Sequence, residues 1–387
     1  MILLPAGLGI YSINTITSEY WLLKLSASSP IFTMTGNDCK IKSDNTFVLS
    51  SNNGNTLFTV DNTGVVLDIK YNNYTSFLGL VRKTDSIITS VSGGGISLDS
   101  ILNANNFESV TGTTGAFLNY DGNGNKYFAF KQGSLFYLVS FNNSNVLRWA
   151  RSISAQSGFT FDSIISLKVS TFIVIEYSRH SSAVPNKCFA AFDTNGMLYY
   201  IKYVNANNVT IVANPTEELA SCVVNYKTAA TSQTGRTTPG GISQSFLNDS
   251  TNYLCSDPSL NTYLLDSQAI VKKYLYDTRS SVSWRKILSL INNGVVAEVK
   301  GTYLIILIIT NTTTAYVLKY PVAGNIDGTF GDLTISGGGG FTAASAATLF
   351  NSQDTVNVDT TNWTVTNSTP IQTGVINGVT QSLNNVN

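Results

Sequence analysis

Few residues of this chain have the type and spacing to do chemistry. The single histidine, His180, stands in EYSRHSSAVP, after a strand-like run. A catalytic histidine needs an acid to orient it and a nucleophile to serve, and no motif places either. One histidine also falls short of a transition-metal site. DGNGN (121–125) alternates Asp121, Asn123 and Asn125 as a calcium loop begins, but Lys126 and Gln132 occupy the sixth and twelfth positions. Those positions require Gly and Glu, so a tight turn before a strand is the simpler reading. Cys39, Cys188, Cys222 and Cys255 are far apart with no C-x-x-C pair, and read as buried free thiols. There is no G-x-S-x-G, H-E-x-x-H or P-loop. A carboxylate pair for glycoside hydrolysis would be made only by folding. The expectation is a protein that is not an enzyme, with no catalytic residue, no metal ligand and no cofactor. No binding residues are assigned.

Composition narrows the partners. The chain has 387 residues, of which 43% are hydrophobic and only 12% charged, with 23 basic and 23 acidic side chains. A neutral, sparsely charged surface lacks the footprint of a nucleic-acid binder. Its polarity comes from Asn, Ser, Thr and Gly, which suits protein or glycan contacts. The longest apolar run, TYLIILIIT (302–310), is far short of the ~20 residues of a membrane helix and reads as a buried strand. No membrane insertion is expected. MILLPAGLGI at the start has no basic n-region and is broken by Pro5, unlike a signal peptide.

A fourth kind of residue leads to the elements. Lys70, Arg151, Lys202 and Lys286 each stand nine residues after an Asp or Asn: Asp61, Asn142, Asp193 and Asp277. Trp149 and Trp284 stand two residues before their base. Around these anchors lie short β-branched and aromatic runs such as TFVLSS (46–51), SLFYLVSF (134–141) and TFIVIEY (171–177), separated by turns such as DNTG and DTNG. Each anchor therefore reads as a strand–turn–strand hairpin, with Gly64 or Gly196 supplying a positive φ. Weaker copies put Ser26, Asp99 and Pro321 at the anchor. Between anchors, IKSDNTFVLSS (41–51), NYDGNGNKYFAF (119–130), ISLKVSTFIVIEY (165–177) and VVAEVKGTYLIILIIT (295–310) read as inner strands.

Repeats of roughly 40–45 residues with about four strands each are the pattern of β-propeller blades. The expected fold is all-β: a propeller over residues 1–321, with seven blades, or six or eight as alternatives. A ring must seal its last edge, so the N-terminal segment, LGIYSINTIT (8–17), is expected to pair into the last blade. Residues 322–387, rich in Gly, Ser, Thr and Asn, read as an extended, β-rich arm for docking or oligomerisation. The repeated base reads as a solvent-facing charge guarding an outer strand.

FNNSNVLRWARSI (141–153), FDTNGMLYYIKY (192–203) and YDGNGNKYFAF (120–130) together resemble the SBBP-type seven-bladed propeller repeats of bacteria and their phages. Phage tail proteins built on that repeat are similar further along, through YVLKYPVAGNIDGTFGDLTIS (316–336) and the polar end. The resemblance implies a structural virion protein of the tail (fibre, spike or associated propeller) in tail assembly and host-surface attachment. Implied partners are other phage tail proteins, sister copies through the arm, and a host cell-surface glycan or receptor. The alternatives are a bacterial surface or secreted glycan-binding propeller and a propeller glycan depolymerase.

Overall fold

Alternation of period two decides the elements. In Tyr303–Asn311, Ile305, Leu307 and Ile309 pack on one side of the sheet with Phe47 and Phe58. Leu304, Ile306 and Ile308 pack on the other side with Tyr263 and Leu265. A strand buried on both faces needs apolar residues at every position, which explains the continuous run. The computed structural model describes residues 19–32, 38–51, 56–72, 77–83, 86–91, 94–97, 105–113, 116–155, 157–169, 172–181, 185–204, 209–211, 224–228, 233–237, 243–246, 251–257, 259, 261–266, 270–275, 282–290, 294–338, 355–358, 363–371, 373–375 and 379–386. Among them every regular element is a strand.

The strands run in antiparallel meanders of four. One such group spans 38–72 and others span 160–204, 209–246 and 251–288. A ten-stranded sheet holds two more, over 77–110 and 117–154, joined by a single parallel bridge, Phe117 to Gly94. The first strands touch one another in sequence. Asp38–Ile41 meets Phe77–Lys83, which meets Phe117–Tyr120, which meets Thr160–Val169. Gly294–Lys300 meets both Thr251–Ser256 and Asp38–Ile41. First strands gathered at the middle, with successive strands stepping outward, make a β-propeller. The expected inner runs at 41–51, 119–130, 165–177 and 295–310 are the first and second strands of their groups.

The closing group is made from both ends of the chain. Gly294–Lys300, Tyr303–Asn311 and Thr314–Pro321 are joined by Tyr20–Ala27, in register Trp21 to Lys319 and Leu25 to Ala315. Ser26, read in the sequence as an anchor, therefore lies inside this closing strand, opposite Thr314. It is not a hairpin anchor, because a strand that enters from the other end has no covalent turn to cap. Residues 8–17, Asp99 and Asp277 lie outside the described residues.

The surviving anchors share one turn. Asp61, Asn142 and Asp193 each accept, at Oδ1, the backbone N–H groups two and four residues on. The third residue takes a positive φ: 87° at Gly64, 62° at Asn145 and 79° at Gly196. The glycines answer a second demand. A Cβ on Gly196 would lie 2.7 Å from Trp149 of the preceding blade, whose Nε1 donates to the Thr194 carbonyl. Gly324 faces Trp284 in the same way, with Nε1 donating to Val322, and Gly64 faces Trp21, with Nε1 donating to Asn62. Each indole leaves the outer strand of one blade and lies on the anchor turn of the next. Trp21 and Lys319 pair two residues before Pro321, as Trp149 and Ser140 pair two before Asn142. The N-terminal strand thus supplies the tryptophan that the last anchor lacks in its own sequence.

Residues beyond Pro321 go back over the rim. Leu333–Gly337 pairs with Val282–Leu288, and Thr355–Val358 with Leu147–Ser154. Val365–Ile371 then pairs with Asn105–Val110, Thr373–Val375 with Val66–Asn72, and Val379–Val386 with Tyr20–Ala27. All are antiparallel fifth strands on outer edges, met in the reverse of blade order. Trp363 holds this belt, its ring 4.8 Å from Phe130 and 5.3 Å from Tyr137, centroid to centroid.

Candidate functional site

The row of bases takes its place from the belt. Lys70 pairs with Val375, Arg151 with Val358 and Lys286 with Gly337. The edge-guard reading is therefore corrected: Lys70 and Lys286 are buried at 7% exposure, because a strand covers the edge they were expected to protect. Lys286 Nζ donates to Asp327 at 2.9 Å, and Arg151 Nε donates to the Gly196 carbonyl at 2.6 Å over the Trp149 ring. They fasten the rim to neighbouring turns and form no ligand-facing ring. Lys202 lies on Leu198–Val204, which carries no fifth strand among the described residues.

Asp121 is spent on its own turn. Oδ1 accepts from the Asn123 and Asn125 N–H groups, and Oδ2 from the Asn125 amide and the Tyr127 hydroxyl. Asp257, Asn261 and Tyr263 repeat the arrangement, with Tyr263 donating at 2.9 Å. D-x-x-x-N-x-Y is thus the inner-hairpin counterpart of the outer anchor, and the signal was present in the sequence at both places. Burial, with the Asp beside it, pushes both tyrosine hydroxyls well up.

His180 has the acid that no motif announced. It ends Phe172–His180, opposite Thr160, and its Nδ1 lies 2.5 Å from Asp162 Oδ1. Register shifts around Ser163 and Ser166 bring the pair together, which linear spacing does not reveal. Among the described residues no hydroxyl is hydrogen-bonded to the ring's other nitrogen, where a nucleophile of a catalytic pair would stand. Cys39, Cys188 and Cys255 form no disulfide, and Cys222 lies outside the described residues. No group of three or more His, Cys, Asp or Glu side chains among the described residues is placed to hold a metal ion.

Charges also gather at the first strands. Asp38 and Lys40 stand on Asp38–Ile41, Lys168 on Thr160–Val169 and Glu298 on Gly294–Lys300. Asp38 Oδ2 accepts the Leu80 N–H of the next blade at 2.7 Å, and Oδ1 accepts the Cys39 N–H at 2.8 Å. Burial pushes the Lys168 ammonium down, with Asp38 and Glu176 opposing and Lys40 adding to the effect. Asp38 acts as a staple between blades.

A polar concavity lies at the rim. A cleft of about 330 Å³ is lined by Lys24, Ser26, Tyr316, Asp332, Ser382 and Asn384, among others. Four segments build it: the closing strand Tyr20–Ala27, its neighbour Thr314–Pro321, the turn between Gly328–Phe330 and Leu333–Gly337, and the last belt strand. Lys24 Nζ donates to Asp332 Oδ2 at 2.6 Å, and the Tyr316 hydroxyl donates to the same oxygen at 2.8 Å. The hydrogen bond that Lys24 donates to Asp332 raises the ammonium and lowers the carboxyl, so both stay charged through the neutral range. Composition alone gave no hint of this cleft, because it exists only where both chain ends meet.

Ringed first strands and a rim closed by both termini define the class: an all-β propeller. No protein-family model and no curated protein matches the chain. Among solved structures it is similar to a streptogramin B lyase, at 10% identity and a TM-score of 0.48, over 78% of this chain and 98% of that one. A likeness of that size carries no argument about activity.

Proposed function

We propose that this chain is a structural protein of a bacteriophage tail: a seven-bladed propeller, borne as fibre, spike or tail-associated head, that serves tail assembly and host-surface attachment. The observation that carries the reading is the hairpin repeat at Asp61, Asn142 and Asp193, whose return strands in FNNSNVLRWARSI and FDTNGMLYYIKY follow the SBBP-type pattern of phage tail propellers. The belt supports it. A protein exposed on a particle gains from covered strand edges, which otherwise template aggregation. The sparse charge supports it too, since hydroxyl and amide contacts are little affected by ionic strength while exposed ion pairs are screened. Other tail proteins and sister copies are the expected partners, and the virion tail is the expected location.

The experiment is to purify particles from the source of the chain and look for it with a specific antibody, by immunogold microscopy and mass spectrometry. Label on the tail is the expected result. A chain present in cell fractions and absent from purified tails overturns the reading, and favours a bacterial glycan-binding propeller.

A further inference from the structure

We infer that the rim cleft between the closing strand and the end of the belt binds a neutral polyhydroxy ligand, one or two saccharide units long. Its volume, about 330 Å³, lies at the lower end of the range for small-molecule sites. The chemistry of its walls decides the class. Lys24 and Asp332 cancel in charge, so an anion attracted by one is repelled by the other. Their hydrogen-bonding capacity is only partly used. Of its three protons the ammonium gives one to Asp332 Oδ2, with the Tyr316 hydroxyl close by, while Asp332 Oδ1 accepts nothing among the described residues. A donor and an acceptor side by side, both charged, match the two hydroxyls of a vicinal diol, each of which both donates and accepts. Around them stand Ser26, Thr380, Ser382 and Asn384, all hydroxyl or amide groups. The one aromatic ring, Tyr316, is 5% exposed and lies beneath the Lys24 ammonium at 5.8 Å, so it offers a ligand no open stacking face, and the cleft's lining is more polar than apolar.

The register explains why these groups converge. Lys24 pairs with Ser382 and with Tyr316, and Ser26 with Thr380, so all share one face of the closing sheet. Trp21, Leu23 and Leu25, at the alternate positions, enter the core between blades. The opposite wall is the Gly331–Asp332 turn. Gly331 has a φ of 59°, and a Cβ there would lie 2.6 Å from the end of the Asn384 side chain, so glycine lets this turn close on the belt without moving Asn384. The site is therefore complete only when the chain end is seated, and a bound ligand must stabilise the seated end by mass action.

The inference deepens the attachment reading and rests on it for its biological use, though not for its test. The full chain is titrated with glucose, galactose, N-acetylglucosamine and cellobiose, and with N-acetylneuraminic acid and sulfate as anionic controls, followed by calorimetry and by saturation-transfer NMR. Saturable binding of at least one of them is expected, weakened at least tenfold by Asp332→Asn, which removes a charge-assisted acceptor, and by Ser382→Phe, which fills the cleft. The bound sugar is also expected to slow amide exchange in residues 379–386 of the unaltered chain, a readout that survives if a variant fails to fold. No saturable binding by any of the four sugars overturns the inference, as does binding that both variants leave intact, or binding confined to N-acetylneuraminic acid or sulfate. Tail incorporation without sugar binding would leave the attachment reading standing and sink the cleft alone.

Discussion

Gly196 and Gly133 both sit at positive φ, 79° and 60°, but only the first is crowded. Gly133→Ala has open space around its new methyl and is expected to lose only the left-handed backbone preference, about 1–2 kcal/mol. Gly196→Ala adds a clash with the Trp149 indole, for a further loss of about 1–3 kcal/mol. Urea unfolding of the two variants measures the gap. Equal losses would show that the tryptophan socket is slack. The buried tyrosines carry a second prediction. Burial first, then Glu298 and Cys39, raise the Tyr303 hydroxyl to about 12, and Tyr127, Tyr263 and Tyr320 are raised as well. The unfolded chain ionises near pH 10. Their contribution to stability is thus whole below pH 10 and drains away as pH rises towards 12. Absorbance at 295 nm should show one fraction of tyrosines ionising near pH 10 and another only as the far-ultraviolet dichroism collapses. A single early transition with the fold intact contradicts this.

At the scale of elements, the belt is the least expected feature, and its strongest single anchor is Trp363. Trp363→Ala removes the edge-to-face contacts with Phe130 and Tyr137, worth roughly 3–5 kcal/mol for a buried aromatic. Amide exchange should then accelerate in Val365–Ile371 and in its partner Asn105–Val110, and remain unchanged in Phe172–His180. Acceleration everywhere would mean that the belt strands are not held independently. The hairpins were legible because period-two alternation and an Asx turn are local: DNTG, NNSN and DTNG announce themselves wherever they fold. The β-rich character of residues 322–387 was legible too, but the edges they pair with were not, since a fifth strand binds through backbone N–H and C=O groups that every residue has. The base at Lys70, Arg151 and Lys286 was visible as a repeat, but its reading depended on whether the edge stayed open. That depended on residues some fifty to three hundred positions further along the chain. Trp21 was missed for a related reason: its anchor, Pro321, is at the opposite end of the sequence and no spacing rule connects them. The cleft built on the same junction was invisible for that reason too.

The whole molecule poses a question of cooperativity. In an open repeat array each unit touches only its neighbours, and opening can start anywhere. Here Tyr20–Ala27 seals the ring and the belt crosses several blades, so one blade cannot leave without straining others. The three cysteines among the described residues are natural probes, because each reports on a different inter-blade core. Cys39 lies among Trp21, Phe47 and Phe58, Cys188 among Tyr127, Phe136 and Ile175, and Cys255 packs against Tyr263 and Leu304. Burial pushes the Cys39 and Cys255 thiols well up, so that neither is reactive in place. Labelling with a thiol reagent at pH 8 in sub-denaturing urea, resolved by mass spectrometry, gives three opening rates from one sample. For a ring that opens as a unit, those rates should converge as urea approaches the unfolding midpoint. Trp21→Ala, which loosens the closing strand and empties the Gly64 socket, should then raise Cys39 and Cys255 labelling ahead of Cys188, on the far side of the ring. If the three rates already differ by orders of magnitude in the unaltered chain close to the midpoint, the blades open singly and the closure by both termini does not couple them.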